Sequence, residues 1–425
     1  MDSNRKTAYY TLVDVEAKKS YSNLALNHHI ICGKPDSPAF VRELVYGVLE
    51  NKIFLDHIIN ALVRDTVEKL KAKELTILRM GLYQLIYMDV ATYAAVNESV
   101  ELAKRFCKGK EGFVNGVLRN FLRSKDKLTL PGREEDLVKH LSVKYSYEPW
   151  IVSLWLDVYE EKFAEELLAA GNKTPDVVIR PNGLKTARAA LIRRLEAQGF
   201  ETSGGHLIYD AIHVKGSGLL DTKLYKAGLF SVQDESSMMA VDLLDPQPGE
   251  TVVDVCAAPG GKSLYIAEKM ENKGQVLAGD IYKRKLNLLD KEAKRLGLTI
   301  IESRTWDATR VDSSKEDKAD RVLVDVPCSG LGVVRRKPEI KYKKYGEDTA
   351  LLPRKQLAIL SASSHYVKPG GTLVYCTCTI VPEENQDVAT EFLKKNPQFE
   401  KVESLQLLPN INGTDGFYIC KMRRK

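Results

Sequence analysis

The sequence of 425 residues is poor in cysteine and in long apolar runs. Its seven thiols, an odd number, are too sparse to staple a chain of this length, so a disulfide scaffold is excluded and a reducing cytoplasm is the expected setting. No apolar stretch approaches the ~18 residues of a membrane span. The polar start Met1-Asp2-Ser3-Asn4-Arg5-Lys6 has no apolar core of a secretory signal behind it, so no membrane association or export is expected. Internal repeats and low-complexity tracts are also missing. Charge of one sign is only slightly in excess: 63 Lys and Arg against 57 Asp and Glu leave +6, which permits a nucleic-acid partner without requiring one. A composition that is 44% hydrophobic and 28% charged excludes disorder as an overall description. At ~150 residues per domain the length implies two to four domains.

The pattern along the chain divides it into four. Residues 1–127 read as all-helical. Ser37 is placed to cap a helix opened by Pro38, with Val41, Leu44, Val45 and Val48 at helical spacing. Leu75, Leu78, Leu82 and Leu85 form an apolar stripe, as do Val114, Val117, Leu118 and Phe121, which predicts five to seven helices. Residues 128–170 read as a helical linker domain after the turn signal Pro131-Gly132. Residues 171–229 mix strand (Val177 to Arg180, Ala211 to Val214) with helix (Thr186 to Glu196), a small α+β domain. Residues 230–425 alternate strands and helices at the spacing of a doubly wound parallel sheet. The five expected strands begin near Thr251, Gln275, Ile300, Arg321 and Thr372, with helices between, one of them over Asp348 to Val367.

In such a sheet, ligands bind beyond the carboxyl ends of the strands. After the first strand come Cys256, Ala257, Ala258, Pro259, Gly260, Gly261 and Lys262. Small residues let a ligand approach the backbone, and a helix N-terminus favours an anion, although a tight strand–turn–helix is also an ordinary structural device. Asp280 ends the second strand and suits ribose hydroxyls; Asp307 follows the third and could accept from an exocyclic amine. The fourth strand ends in Asp325, then Val326-Pro327-Cys328-Ser329-Gly330; the fifth ends in Cys376-Thr377-Cys378-Thr379. A lone cysteine is usually a small buried apolar residue. Two at adjacent strand ends, one beside an acid, point to chemistry. No C-x-x-C exists and no histidine lies near Cys328, so no metal is expected.

Two basic stretches stand out. From Lys104 to Lys127 there are eight cations, among them Lys104, Arg105, Arg119 and Arg123, against two acids. From Arg335 to Tyr345, Arg335, Arg336, Lys337 and Lys341 alternate with tyrosines. Cations that track phosphates and rings that stack on bases would suit RNA. The first stretch could equally be a solvated face, whereas the second follows the expected site at the fourth strand end, which sets it above a generic charged loop. The four cations of Lys421 to Lys425 read as a solvated tail.

Taken together, Cys256 to Lys262, Asp325 to Gly330 and Thr377-Cys378-Thr379 resemble the RNA cytosine-C5 methyltransferases that use S-adenosylmethionine. Ala95-Val96-Asn97-Glu98 and Phe113 to Leu118 resemble the antitermination factor NusB. A NusB-like domain fused to this methyltransferase is the arrangement of a bacterial small-subunit rRNA family. The resemblance spans nearly the whole chain. It implies a Rossmann-like S-adenosylmethionine-dependent catalytic domain and RNA contact by the NusB-like and α+β domains. The implied partner is 16S rRNA, unassembled or partly assembled, with no membrane partner; the oligomeric state stays open, a monomer being the simpler expectation. By the same resemblance, residues 256–262 hold the methionine part of the cofactor, Asp280 its ribose and Asp307 its adenine. Asp325 lies between cofactor and base, Cys378 is the nucleophile, and Cys328 assists release of product. Val326 stands where alanine is usual and Cys376 where serine is usual; the latter adds a third thiol near the site.

The chemistry fits on its own terms. C5 of cytosine is a weak nucleophile until a thiolate adds at C6. Cys378 should therefore ionise readily, an acid such as Asp325 should meet N3, and the base must leave its stack. The same chemistry on tRNA or 23S rRNA, or a non-catalytic RNA-binding assembly factor, remains an alternative.

Overall fold

The structure, a computed structural model, describes residues 2–18, 21–343 and 350–425. Lys344 and Tyr345 of the second basic stretch, and Asp348 at the start of an expected helix, lie outside these residues. The chain divides into two compact units: Met1–Lys173 with Val334–Lys344, and Thr174–Val333 with Tyr345–Lys425.

The first unit begins with α1 (Ser3–Lys18), α2 (Ser22–Gly33), α3 (Pro38–Glu50), α4 (Lys52–Leu62), α5 (Ala72–Tyr87), α6 (Thr92–Phe106) and α7 (Glu111–Ser124). Ser37 caps α3 by accepting from Phe40 N, with Pro38 in the first turn. The leucine stripe of α5 understates its role. Ile77, Leu78, Met80 and Leu82 are all fully buried, so α5 is the hub of the bundle rather than a one-sided surface helix. A helix buried all round must satisfy its polar residues. Arg79 does so by donating to Asp56 on α4 at 2.6 and 2.7 Å and to Glu16 on α1 at 2.5 Å. Helices α8 (Leu137–Tyr145), α9 (Pro149–Val158) and α10 (Glu161–Gly171) follow.

Residues 334–343 return to this first unit, which corrects part of the RNA reading. Lys341 is 1% exposed. Its ammonium donates to Glu50 O and Asn172 Oδ1, each at 2.8 Å, and lies 4.6 Å from the centre of the Tyr147 ring. Burial pulls its pKa down to about 7. The Tyr342 hydroxyl donates to Leu49 O, and Glu339 accepts from Ser22 N and Oγ. Lys341 is therefore an internal pin, with no face left for a phosphate. Arg335, Arg336 and Lys337 are half-buried.

The second unit opens with an antiparallel sheet of order β2-β3-β1-β4: β1 (Val177–Pro181), β2 (Glu201–Gly204), β3 (Ile212–Lys215) and β4 (Phe230–Val232). Helix α11 (Arg188–Glu196) buries Leu191 and Leu195 against it, and the short α12 (Lys223–Lys226) precedes β4. The edge strands β2 and β4 were not anticipated. At four and three residues they are too short to show alternation.

After α13 (Glu235–Leu244) the chain builds a seven-stranded sheet: β5 (Thr251–Asp254), α14 (Gly261–Lys269), β6 (Gln275–Asp280), α15 (Lys283–Leu296), β7 (Ile301–Thr305), β8 (Ala319–Asp325), α16 (Leu352–Ser364), β9 (Val367–Thr377), α17 (Gln386–Lys395), β10 (Phe399–Leu407), α18 (Pro409–Asn412) and β11 (Phe417–Arg424). Its order is β10-β11-β9-β8-β5-β6-β7. Successive side chains feed opposite cores: Val252, Leu323, Val374 and Ile419 pack on one face, and Val253, Val322, Val324, Tyr375 and Tyr418 on the other. The pairs β9/β8, β8/β5, β5/β6 and β6/β7 are parallel, while β11 runs antiparallel to both β9 and β10. The C-terminal cations are thus no solvated tail. Lys421 pairs with Val374 and Glu403, and Arg424 donates to Val367 O. Fully buried Cys420 and Met422 anchor the strand.

Candidate active site

Strand order reverses beside β5: β6 lies on one side and β8 on the other, so the loops after β5 and β8 diverge and open a crevice at their carboxyl ends. The loop after β5 turns at Gly260, whose φ is 116°. A Cβ there would stand 2.8 Å from Leu289 Cγ on α15, so the turn requires glycine twice over, for its dihedral and for its close approach. No side chain caps α14, whose first N–H groups look out from this edge. Asp280, 9% exposed at the end of β6, accepts from Tyr282 N at 2.8 Å. Asp307 is exposed and folds onto its own turn, accepting from Thr309 N at 3.1 Å and Oγ1 at 2.6 Å. An uncapped helix N-terminus for a carboxylate, with an acid at the next strand end for hydroxyls, is a donor set that fits S-adenosylmethionine.

The adjacent ends of β8 and β9 bring three further candidates together. Cys328 Sγ and Cys378 Sγ are 3.1 Å apart, neither is in a disulfide, and both are partly exposed. The hydrogen bond to Cys378, with burial second, pushes the Cys328 thiol well up. Asp325 accepts from Lys262 Nζ at 2.6 Å and from Cys376 Sγ at 3.6 Å. Burial alone would pull the Lys262 ammonium down, but the Asp325 carboxylate overcomes it and holds the lysine charged. Burial pushes the Cys256 and Cys376 thiols up, which keeps them protonated.

Buried polar residues that the sequence reading had passed over fix these loops. Glu384 accepts from Ser329 N at 2.9 Å and Gln356 Nε2 at 2.8 Å, and the same Gln356 amide donates to Pro327 O at 3.0 Å. Both neighbours of Cys328 are held this way. Asn385 accepts from Thr377 Oγ1 at 2.6 Å and donates to Thr379 O at 3.1 Å, so it clamps both neighbours of Cys378. Ser329 and Thr379 join the two loops through their hydroxyls at 2.7 Å. Gly332 N donates to Cys378 O at 3.1 Å, an approach that a Cβ on Gly332 would close. Asp254, buried behind α14, accepts from Ser263 Oγ at 2.6 Å, and burial lifts its pKa to about 7.

Residues 241–423 match the family described as 16S rRNA methyltransferase RsmB/F, residues 2–123 the NusB family, and residues 147–219 a ferredoxin-like domain of RsmF/B-like methyltransferases. The chain is 40% identical to the probable ribosomal RNA small subunit methyltransferase B of Bacillus subtilis, covering 100% of this chain and 99% of that protein. The chain belongs to the ribosomal RNA small subunit methyltransferase B family. The member from Vibrio cholerae is 32% identical over 99% of this chain and 96% of its own length. A methyltransferase homolog from Pyrococcus horikoshii of known structure superposes with a TM-score of 0.61 at 26% identity, covering 67% of this chain and 98% of that one. The crystal structure of PH0851 shares the fold at a TM-score of 0.85 over 98% of both chains, with 24% identity.

For a methyltransferase B family member the remaining basic candidates are arranged unevenly. Lys104, Arg105, Arg119 and Arg123 are all exposed on α6 and α7; Lys104 pairs with Glu101 and Arg119 with Asn115 on their own helices. Arg335, Arg336 and Lys337 belong to the first unit, and the two cysteines to the second. Among the described residues no helix is long and apolar enough to cross a membrane.

Proposed function

We propose that this protein transfers a methyl group from S-adenosylmethionine to C5 of a cytosine in small-subunit (16S) rRNA, through a covalent bond between Cys378 and C6 of the base, and that it works in the cytoplasm. The observation that carries this reading is the cysteine pair Cys328 and Cys378, 3.1 Å apart beside the Lys262–Asp325 ion pair. The small-subunit names of full-length relatives support the substrate. Residues 256–262 would hold the methionine part of the cofactor, Asp280 its ribose and Asp307 its adenine. The cofactor supplies an electrophilic methyl group on a sulfonium.

The chain does the rest. Cys328, whose thiol is pushed up, keeps its proton, and Cys378 adds at C6 as the thiolate. Electron density that then moves toward N3 meets Asp325, backed by the Lys262 ammonium as a proton donor. The 2.6 Å ion pair favours the two residues acting together at N3. The C5 proton then passes to water, the C6–sulfur bond breaks with its electron pair on Cys378, N3 returns its proton to Lys262, and Cys328 hydrogen-bonds the departing thiolate. The exposed cations of α6 and α7 would meet RNA phosphates.

The test combines labelled S-adenosylmethionine, unmodified 16S rRNA and bisulfite mapping. A single 5-methylcytosine is expected. Label on tRNA or 23S rRNA alone would overturn the substrate, and label on no RNA, with the cofactor bound, would overturn the activity on free RNA. On a denaturing gel, Cys378→Ala should form no covalent RNA adduct and Cys328→Ala should accumulate one; identical behaviour of the two would refute the division of roles.

A further inference from the structure

Gln233 lies between β4 and α13 and is 7% exposed. Its Oε1 accepts from Arg180 Nη1 at 2.8 Å. A guanidinium has donors only, so Arg180 dictates which way the amide faces: oxygen toward itself, nitrogen away. Arg180 is itself immobile. It is fully buried, donates through Nη2 to Glu268 Oε1 at 2.9 Å and stacks 4.5 Å from the centre of the Tyr265 ring. The Gln233 Nε2 that this arrangement turns outward is buried and has no hydrogen-bond partner among the described residues. Such a donor is costly to leave unmet, and an unmet one in a native fold calls for a ligand.

Gln233 Nε2 stands 3.8 Å from where a Cβ on Gly261 would be. Gly261 is the first residue of α14, a nine-residue helix without a side-chain cap. Two independent sets of donors, the helix N–H groups and the oriented amide, therefore face the same small space, which the missing Gly261 side chain leaves open. Their charge balance selects the ligand. The nearby Lys262 ammonium is already spent on Asp325, and Asp254 lies buried behind the helix. A half-charge from the helix dipole and a neutral amide suit a singly charged carboxylate better than a phosphate.

We infer that Gln233 Nε2 and the N-terminal N–H groups of α14 form a carboxylate-binding subsite for the amino-acid end of S-adenosylmethionine, with Arg180 as the positioning residue that aims the amide. This rests on the cofactor assignment made above and adds to it a ligand residue outside the 256–262 loop.

Calorimetry on the full chain tests it with two probes. S-adenosylhomocysteine carries the carboxylate; 5′-methylthioadenosine keeps the adenosine and lacks the amino-acid end. Gln233→Ala should weaken S-adenosylhomocysteine about tenfold or more, as expected for a lost hydrogen bond to a charged group, and leave methylthioadenosine unchanged. Gln233→Glu retains an acceptor for Arg180, and hence the local fold, but turns an oxygen toward the ligand; it should weaken S-adenosylhomocysteine further, again with no effect on methylthioadenosine. Unchanged S-adenosylhomocysteine affinity in both variants, or equal loss of both probes, overturns the inference. Loss of RNA affinity with S-adenosylhomocysteine affinity intact also overturns it and marks a phosphate site. A wild-type chain that binds neither probe overturns the cofactor assignment itself, whereas one that binds both equally well overturns only the subsite.

Discussion

The loop around Cys328 and the basic segment that begins at Arg335 are neighbours in sequence, and both carried a functional expectation, yet the fold uses them in different ways. Cys328 stays at the ligand edge of the sheet. It meets Cys378 because parallel pairing of β8 with β9 brings their carboxyl ends side by side. A few residues later the chain enters the other compact unit, and Lys341 spends its charge on a backbone carbonyl and an amide inside a helical core. Strand ends export reactive side chains because the backbone beyond them is free to turn. A segment that must fill a gap between helices imports even its cations, provided each N–H finds an acceptor. The same residue type therefore carries different prior odds of function depending on the element that delivers it.

That contrast can be broken in graded ways. The largest expected effect is at the strand ends: Cys378→Ala should abolish methyl transfer in the labelled assay, while cofactor affinity by calorimetry stays as in the wild type. Next is the imported lysine. Lys341→Ala leaves Glu50 O and Asn172 Oδ1 without their donor, so it should destabilise the first unit by about 2–4 kcal/mol in chemical denaturation. The salt dependence of RNA binding should not change; a slope reduced by about one unit would instead make Lys341 a phosphate contact. Glu384→Ala frees Ser329 N and Gln356 without touching either sulfur. It should lower turnover about 10- to 100-fold through a misplaced Cys328, with adduct accumulating as in Cys328→Ala. The smallest effect belongs to the exposed helix face, where Arg119→Ala should reduce the RNA salt slope by about one and leave turnover at saturating RNA unchanged.

A further test concerns how the small sheet is tied to the catalytic one. Glu235, the first residue of α13, is fully buried, which alone would raise its pKa. Hydrogen bonds from His213 and from the N–H groups of His206, Leu207 and Ile208 outweigh this and hold it at about 2. Since the folded value lies below the unfolded one, the stability it contributes is complete above the usual carboxylate range. It is lost as the pH falls from about 4.5 through about 2. Thermal midpoints measured across that window should drop in the wild type and show a shallower slope in Glu235→Gln.

Much of the catalytic edge was legible because it depends on short-range pattern. A strand followed by small residues, and acids or thiols at successive strand ends, can be read without knowing which strands are neighbours. Asp280, Asp325, Cys328 and Cys378 were found that way. Lys421 to Lys425 were misread as a tail because charged residues at a chain end look solvated until β9 and β10 are seen on either side. Glu384 and Asn385 were passed over because, in sequence, they are one more acid and one more amide at the start of a helix; only their distant partners give them a task. Gln233 is the extreme case, since its significance lies in an atom that has no hydrogen-bond partner among the described residues.

The sequence by itself determined the alternation of strand and helix, the helical character of residues 1–127 and which thiols and acids stand at strand ends, because periodicity and local chemistry are properties of a few adjacent residues. Only the tertiary structure decided that β10 and β11 extend the sheet antiparallel, that Lys341 faces inward, and that two sulfurs fifty residues apart stand 3.1 Å from each other. Strand order, burial and the approach of two thiols depend on which distant segments come into contact, and that is settled by packing the whole chain.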